Sequence, residues 1–435
     1  MVIWSANLIS TLGSGLTGFA MGVWVYQRTG SVTQFAFTVL SQMVPGILVS
    51  PIAGFFVDRW NRRWVMILSD TGSALSVLTI ALLLMVGRFQ VRYFYIALAV
   101  GGIFSVFRQL AFSTTIPMLV PKQHFGRVSG LMQMGYPLSR IICPVAAGLL
   151  LAVLPIHNVI LIDFFTFFAP IITMMLVRIP KLESSPEGRT SRGSFWQGLG
   201  AGWVFIIGRP GVLVLLVFFL IINFTMGLAH ALYQPLLLSF TSVKMVGLMS
   251  TIAGCGLLTG SLVMMVWGGP KRRMRGIFAF GLLYGVGLIV AGLRESVPLI
   301  GFAFFVTVFG VPIISGSMQA MWLRKTPSDL QGRVFAAWTM ILRACLPLSY
   351  LAAGPLADHV FKPLLAAGGP LSGNVGAVIG VGPGRGIGLL YIAIGILAVL
   401  TTTASYLHPR FRLIEDELPD VIADEVPANV EQSYA

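Results

Sequence analysis

Residues 54–64 read GFFVDRWNRRW. Asp58 and three arginines, Arg59, Arg62 and Arg63, fall between two long apolar runs. The 435-residue chain is 56% hydrophobic and 10% charged, against about 25% charged in an average soluble domain. Apolar runs of about 18 residues or more, long enough to read as transmembrane helices, recur along it. A single water-soluble core has no room for so many apolar side chains, so the sequence reads as a polytopic helical membrane protein. A large soluble α/β enzyme would need strands and helices with regular polar faces, and the sequence offers none. The four charges then mark a short connection between two spans.

Outward from that connection, spans of about 20 mostly apolar residues can be placed. They fall at 2–26, 34–57, 65–87, 93–120, 127–154, 158–178, 212–239, 245–267, 276–293, 297–323, 334–358 and 387–407, twelve in all. With the N-terminus inside, nineteen basic residues lie in inner segments, seven in outer segments, and three (Arg108, Arg140 and Arg343) within spans. Cytoplasmic loops collect Lys and Arg, so both termini are expected in the cytoplasm. The net charge of +14 belongs to this bias and not to nucleic-acid binding. Cys143, Cys255 and Cys345 all sit in apolar runs and form neither a disulfide framework nor a metal spacing. The first run has no basic leader before it and is long enough to span, so it does not read as a cleavable signal. Starting almost inside a span points to a missing short leader or a domain cut from a longer polypeptide.

The expected organisation is a six-helix bundle over 1–178, a cytoplasmic linker over 179–211, a second six-helix bundle over 212–408 and an acidic tail over 409–435. The linker opens polar (KLESSPEGRTSRGS) and continues as FWQGLGAGWVFIIGR, which fits an amphipathic surface helix. The halves echo each other. GRV recurs at Gly126 and Gly332, each time opening a span, and DRWNRR after span 2 is matched by GGPKRRMR after span 8. Parallel repeats of this kind are a transporter architecture with the substrate site near the midplane.

These residues resemble the major facilitator superfamily. Gly54, Asp58, Arg59, Arg62 and Arg63 match its signature between spans 2 and 3, at the matching place in the chain. YQRTGS after span 1, AGPLADHVF ending span 11, GVGPGRGIGLL entering span 12 and RLIEDELPD beyond it are similar to the drug-efflux branch that includes macrolide-efflux and siderophore-export proteins. The resemblance implies an all-α membrane fold of twelve helices in two six-helix pseudo-repeats. It implies a gate in which Asp58 meets the start of span 11 near Arg333, where a helix N-terminus favours an anion. A topology signal without gating is the plainer reading of the same charges. The resemblance also implies that spans 1, 4, 7 and 10 face the cavity, which singles out Asn7, Thr11, Phe112, Asn223, Tyr233, Gln234 and Gln319. Span 5 departs from the family's antiporter pattern, with Cys143, Pro144, Ala147 and Gly148 in place of a Gly-Pro followed by two glycines.

Charges at membrane depth carry a price of at least ~2.5 kcal/mol each near the centre. Arg108, Arg140 and Arg343 stand there. Two readings stay open: the arginines line a cavity for an anionic cargo, or they bond to backbone and to Asp70 and hold helices together. Proton coupling needs a group that can change charge, and Asp70, Asp163, Asp358 and His230 qualify by residue type. The glycines of 380–388 precede no strand–turn–helix unit, so a phosphate cradle does not fit. There is no Walker lysine motif, no Ser/His/Asp constellation and no cofactor signature.

The function expected is secondary active export of a small amphipathic organic compound, with a negative group on the cargo, by proton antiport. The protein is taken as a monomer in the bilayer and not as an enzyme. An energy-independent facilitator or lipid flippase is the alternative. A non-transporting anchor for a biosynthetic complex is a third reading, and the deep charges speak against it.

Overall fold

The computed structural model describes residues 2–87, 90–119, 125–177, 210–270, 272–325, 342, 344–382 and 384–407, without the side chains of 58–59, 113–114, 116–119, 125–137, 210–214 and 319–325. The linker over 179–211, the tail over 409–435, both GRV copies and Arg333 therefore lie outside the described backbone or side chains. Among the described residues the regular structure is helical.

The helices run α1 Val2–Thr29, α2 Val32–Arg59, α3 Arg62–Met85, α4 Val91–Leu119, α5 Phe125–Val153, α6 Ile156–Thr166 and α7 Phe168–Leu176 in the first half. The second half has α8 Pro210–Leu238, α9 Val243–Trp267, α10 Arg273–Leu293, α11 Val297–Lys325, α12 over 344–355, a π-helical turn Leu356–Phe361, the short α13 Lys362–Leu364 and α14 Val375–Ile379, and α15 Arg385–Leu407. Ten segments among the described residues are long and apolar enough to cross a membrane, α6 and α7 counting as one. Helix α5 and the α12 segment occupy the places of the other two expected spans. Apart from the α12 span, helix ends fall within three residues of those expected.

Local chemistry sets these ends. Gly30 adopts φ 63° after α1, a left-handed conformation that costs glycine little. Ser31 then caps α2 by accepting from the Gln34 amide at 3.3 Å. Asn61 caps α3 through the Arg63 amide at 3.1 Å, so the charged connection of residues 58–63 is also a helix stop and start. Large apolar side chains such as Leu48, Ile96, Phe165, Met265 and Phe302 are exposed on the outside of the bundle. That is the surface a hydrocarbon solvent requires.

In lipid, helices associate through close packing and hydrogen bonds, which small residues permit. Helix α4 crosses α2 at Gly102, where a Cβ would lie 2.0 Å from the Gln42 carbonyl oxygen. Helices α1 and α5, α2 and α4, α3 and α4 pack in the first half, and α10 with α11 and α15, α9 with α11, in the second. Among the described residues, α5 on α9 is a broad contact between the halves. Here the altered antiporter stretch does its packing: a Cβ on Gly247 would lie 2.4 Å from the Pro144 carbonyl oxygen, one on Gly148 3.2 Å from that of Val243, and Thr251 donates to the Ile141 carbonyl at 2.7 Å. Gly247→Leu is accordingly expected to destabilise the protein by about 1–3 kcal/mol. The check is the unfolding temperature in detergent, with Gly18→Ala, where a Cβ meets nothing within 4 Å, as the silent control.

Candidate functional site

Helix α1 carries Ser10, Gly13, Ser14 and Thr17 at helical spacing, so they share one face. That face turns toward α3, α4 and α6 and receives their charged side chains. Arg108 of α4 donates through Nη1 to Ser10 Oγ at 2.8 Å and to Asp70 Oδ1 of α3 at 3.2 Å. Asp70 is 2% exposed and Ser10 fully buried. Arg108 thus forms an ion pair with Asp70 and a hydrogen bond with Ser10 that together join α3, α4 and α1.

One turn further along the α1 stripe lies Asp163 of α6, fully buried. Ser14 donates to its Oδ1 at 3.3 Å. Thr166 gives its hydroxyl proton to the Asp163 backbone carbonyl at 2.6 Å while its oxygen lies 3.4 Å from Oδ1. The other carboxyl oxygen, Oδ2, is buried outside strict hydrogen-bond geometry, as is the Thr17 hydroxyl, which lies close enough to the Asp163 carboxyl group to bond to it. Space is tight, for a Cβ on Gly13 would lie 2.2 Å from Thr166 Oγ1 and 2.7 Å from Asp163 Oδ1. Arg108 is near enough to act electrostatically on Asp163, and Asp163 in turn on Cys143 of α5. Two carboxyl groups thus share one guanidinium in the interior of the first half.

A second polar group crosses between the halves. Arg140 of α5 donates through Nη1 to Nε2 of His230 on α8 at 2.5 Å. Nε2 is then the acceptor nitrogen, so the proton of a neutral imidazole sits on Nδ1, which meets the hydroxyl of Tyr350 on α12. Arg140 and His230 are both exposed although they lie mid-helix between the two bundles. The contact thus lies between the halves and keeps solvent-accessible surface there.

The other expected residues fall in several places. Gln234 faces Gly22 of α1, its Oε1 3.1 Å from where a Cβ would stand, so it too lies between the halves. Thr11 and Asn223 are satisfied within their own helices, Thr11 by the Asn7 carbonyl at 2.8 Å and Asn223 by that of Phe219 at 2.9 Å. Asn7 is itself half-buried. Tyr233 packs edge-on against Phe304 with ring centroids 4.4 Å apart, its hydroxyl buried near Ser250. Phe112 packs against the cluster of Val57, Met66 and Met174. Asp358 lies at the end of the bundle that carries the α1–α2 connection. At the opposite, basic end, Gly54 has open space where a Cβ would be. There Arg63 donates to the Met175 carbonyl at 2.6 Å, tying the start of α3 to the end of α7. The side chains of Asp58, Arg59, Gln319, Arg333 and Arg343 lie outside the described residues. Sequence reasoning passes over Ser10, Ser14 and Thr17; their spacing on one apolar span was the available signal.

Comparison with known proteins agrees with this architecture. Macrolide efflux protein A of Streptococcus pyogenes is 26% identical over 367 residues, covering 82% of this chain and 89% of its own. Multidrug efflux pump Tap of Mycolicibacterium fortuitum is 23% identical over 364 residues, with 82% and 89% covered. Among solved structures, a bacterial homolog of the human lysosomal transporter Spinster, inward-facing and unoccupied, superposes with a TM-score of 0.69 at 13% identity, over 96% of this chain and 97% of that one. The family model described as Major Facilitator Superfamily matches residues 3–349. The chain belongs to the Major Facilitator Superfamily, and it is a multi-pass membrane transporter rather than an enzyme.

Proposed function

We propose that this transporter exports an amphipathic organic molecule across a bacterial inner membrane in exchange for protons, with its basic end and both termini in the cytoplasm. The efflux proteins it resembles support the direction and the cargo class. The observation that carries the coupling is Asp163 itself, a fully buried carboxyl group set among the hydroxyls of Ser14, Thr17 and Thr166 while Arg108 is bonded to Asp70. An ionised carboxylate buried while its neighbouring guanidinium serves another acid is costly. A proton on Asp163 removes that charge, gives the carboxyl group an O–H that the Thr17 hydroxyl oxygen can accept, and makes the charge of two carboxyl groups and one guanidinium sum to zero.

Proton exchange then follows from where Arg108 points. While it pairs with Asp70, Asp163 holds a proton. When the halves rock and water reaches the cluster, Arg108 can turn toward Asp163, which stabilises its ionised form and releases that proton. Cargo binds between the halves at Arg140 and His230. An anionic group there gains a charge-assisted hydrogen bond from Arg140, at the expense of the Arg140–His230 contact between the halves. Cargo entry would in this way loosen one tie across the interface.

The test uses cells expressing the protein and a panel of anionic, neutral and cationic amphiphiles, a macrolide included. Lower accumulation of at least one compound, reversed by a protonophore, is the expected result. Export that survives the protonophore would favour a facilitator or flippase, and no export of any compound would sink the exporter reading. Arg140→Gln is expected to weaken export of anionic compounds by about tenfold, the effect of ~1.4 kcal/mol, and to spare neutral ones. Equal losses in both classes would remove the anionic-cargo argument.

A further inference from the structure

At the end of the bundle opposite the basic one, an ion pair of the second half grips the α1–α2 connection of the first. Asp358 stands in the π-helical turn that follows α12. Its Oδ2 accepts from Ser31 Oγ at 2.7 Å, the Thr33 amide at 2.8 Å and Thr33 Oγ1 at 2.8 Å. Its Oδ1 accepts from the Val32 amide at 3.1 Å and from Lys362 Nζ at 2.7 Å. Lys362 Nζ also donates to the Gly30 carbonyl at 2.9 Å and stands 5.7 Å from the centre of the Tyr26 ring.

Each charge sits at the helix end it stabilises. The carboxylate takes the first free amides of α2, where an anion is favoured, and the ammonium takes a carbonyl at the end of α1, where a cation is favoured. The backbones meet closely beneath the pair, since a Cβ on Gly354 would lie 2.5 Å from the Thr33 Cα. With Asp358 13% and Lys362 26% exposed, both are withdrawn from solvent while remaining near it. Opening this end requires the second half to leave the α1–α2 connection, and every bond from Asp358 and Lys362 to residues 30–33 must break.

We propose that Asp358 and Lys362 form the latch of the outer gate, positioning residues whose grip on the α1–α2 connection sets the balance between outward-open and inward-open states. This rests on the orientation and the rocking halves proposed above. Asp358 follows α12 and holds the N-terminus of α2; Asp58, near the end of α2, is expected from the sequence to face the start of span 11 at the other end. The two aspartates would then close opposite ends of the same pair of helices, one releasing as the other engages.

The test measures accessibility at both ends in the full-length protein. Reporters are Phe35→Cys, a 5%-exposed position one turn below the latch, and Asn7→Cys near the basic end, in a background with Cys143, Cys255 and Cys345 replaced by alanine. A membrane-impermeant maleimide is applied to intact cells for the first and to inside-out vesicles for the second. Asp358→Asn is expected to raise labelling at position 35 and lower it at position 7, each by about tenfold. Asp358→Glu is expected to restore much of the original pattern. Lys362→Met should shift both reporters the same way as Asp358→Asn, and it carries the test if Asp358→Asn does not reach the membrane. Unchanged labelling at both positions, or a rise at both, would overturn the latch. The assay needs neither cargo nor a proton gradient, so a reciprocal shift in a protein that fails the export test keeps the latch and discards the exporter.

Discussion

Asp163→Asn is expected to insert and fold normally yet to reduce gradient-driven efflux to the level of vesicles without the protein. The substitution keeps the shape of the side chain, and its N–H group can donate to the neighbouring Thr17 hydroxyl oxygen, so the packing of α6 on α1 loses little. What it removes is the ability to change charge. The cluster is then fixed in the arrangement that a proton on Asp163 would give, with Arg108 held by Asp70. Such a protein should still exchange labelled cargo for unlabelled cargo across the membrane, since exchange needs no proton. Loss of net transport with retained exchange is the pattern to look for. Loss of both would assign Asp163 to folding or to cargo binding.

Arg108→Gln is expected to act on stability first. Asp70 is 2% exposed, and its cation is Arg108. Removing one partner of a buried pair leaves an uncompensated charge and costs about 3–5 kcal/mol. Little folded protein should reach the membrane, and its unfolding temperature in detergent should fall. Adding Asp70→Asn takes away the stranded charge, so the double variant should recover most of the folded yield. It should not recover proton-driven transport, because no guanidinium is left to favour ionised Asp163. A double variant that transports at the wild-type rate would show that Arg108 only holds helices together.

Much of the fold is legible in the sequence because the bilayer imposes a length and a charge rule. GFFVDRWNRRW, with apolar runs on either side, already shows a span ending and another beginning, and Asn61 within it caps the second. Which side chains meet is less legible, for a physical reason. Spans that are apolar all round show little preference for one face, so the sequence does not reveal how each helix is rotated. Arg108 therefore stays poised between cargo and Asp70 until α3 and α4 are seen side by side. The α1 stripe of Ser10, Ser14 and Thr17 is the exception, a polar face on an apolar helix that points to the buried acids. Asp358 is the opposite case. Its composition marks it as a titratable group near the membrane surface, and its work as a cap on α2 appears once the fold brings residue 358 to residues 31–33.

The central claim is that Asp163 carries the proton exchanged for cargo. Its most direct test is proton movement in inside-out vesicles with an imposed acid-interior pH gradient, for the wild type and Asp163→Asn, after adding a compound that the cell assay shows to be exported. The wild type is expected to discharge the gradient and Asp163→Asn to leave it standing, although the variant is inserted and still exchanges labelled compound. Discharge by Asp163→Asn at the wild-type rate would contradict it.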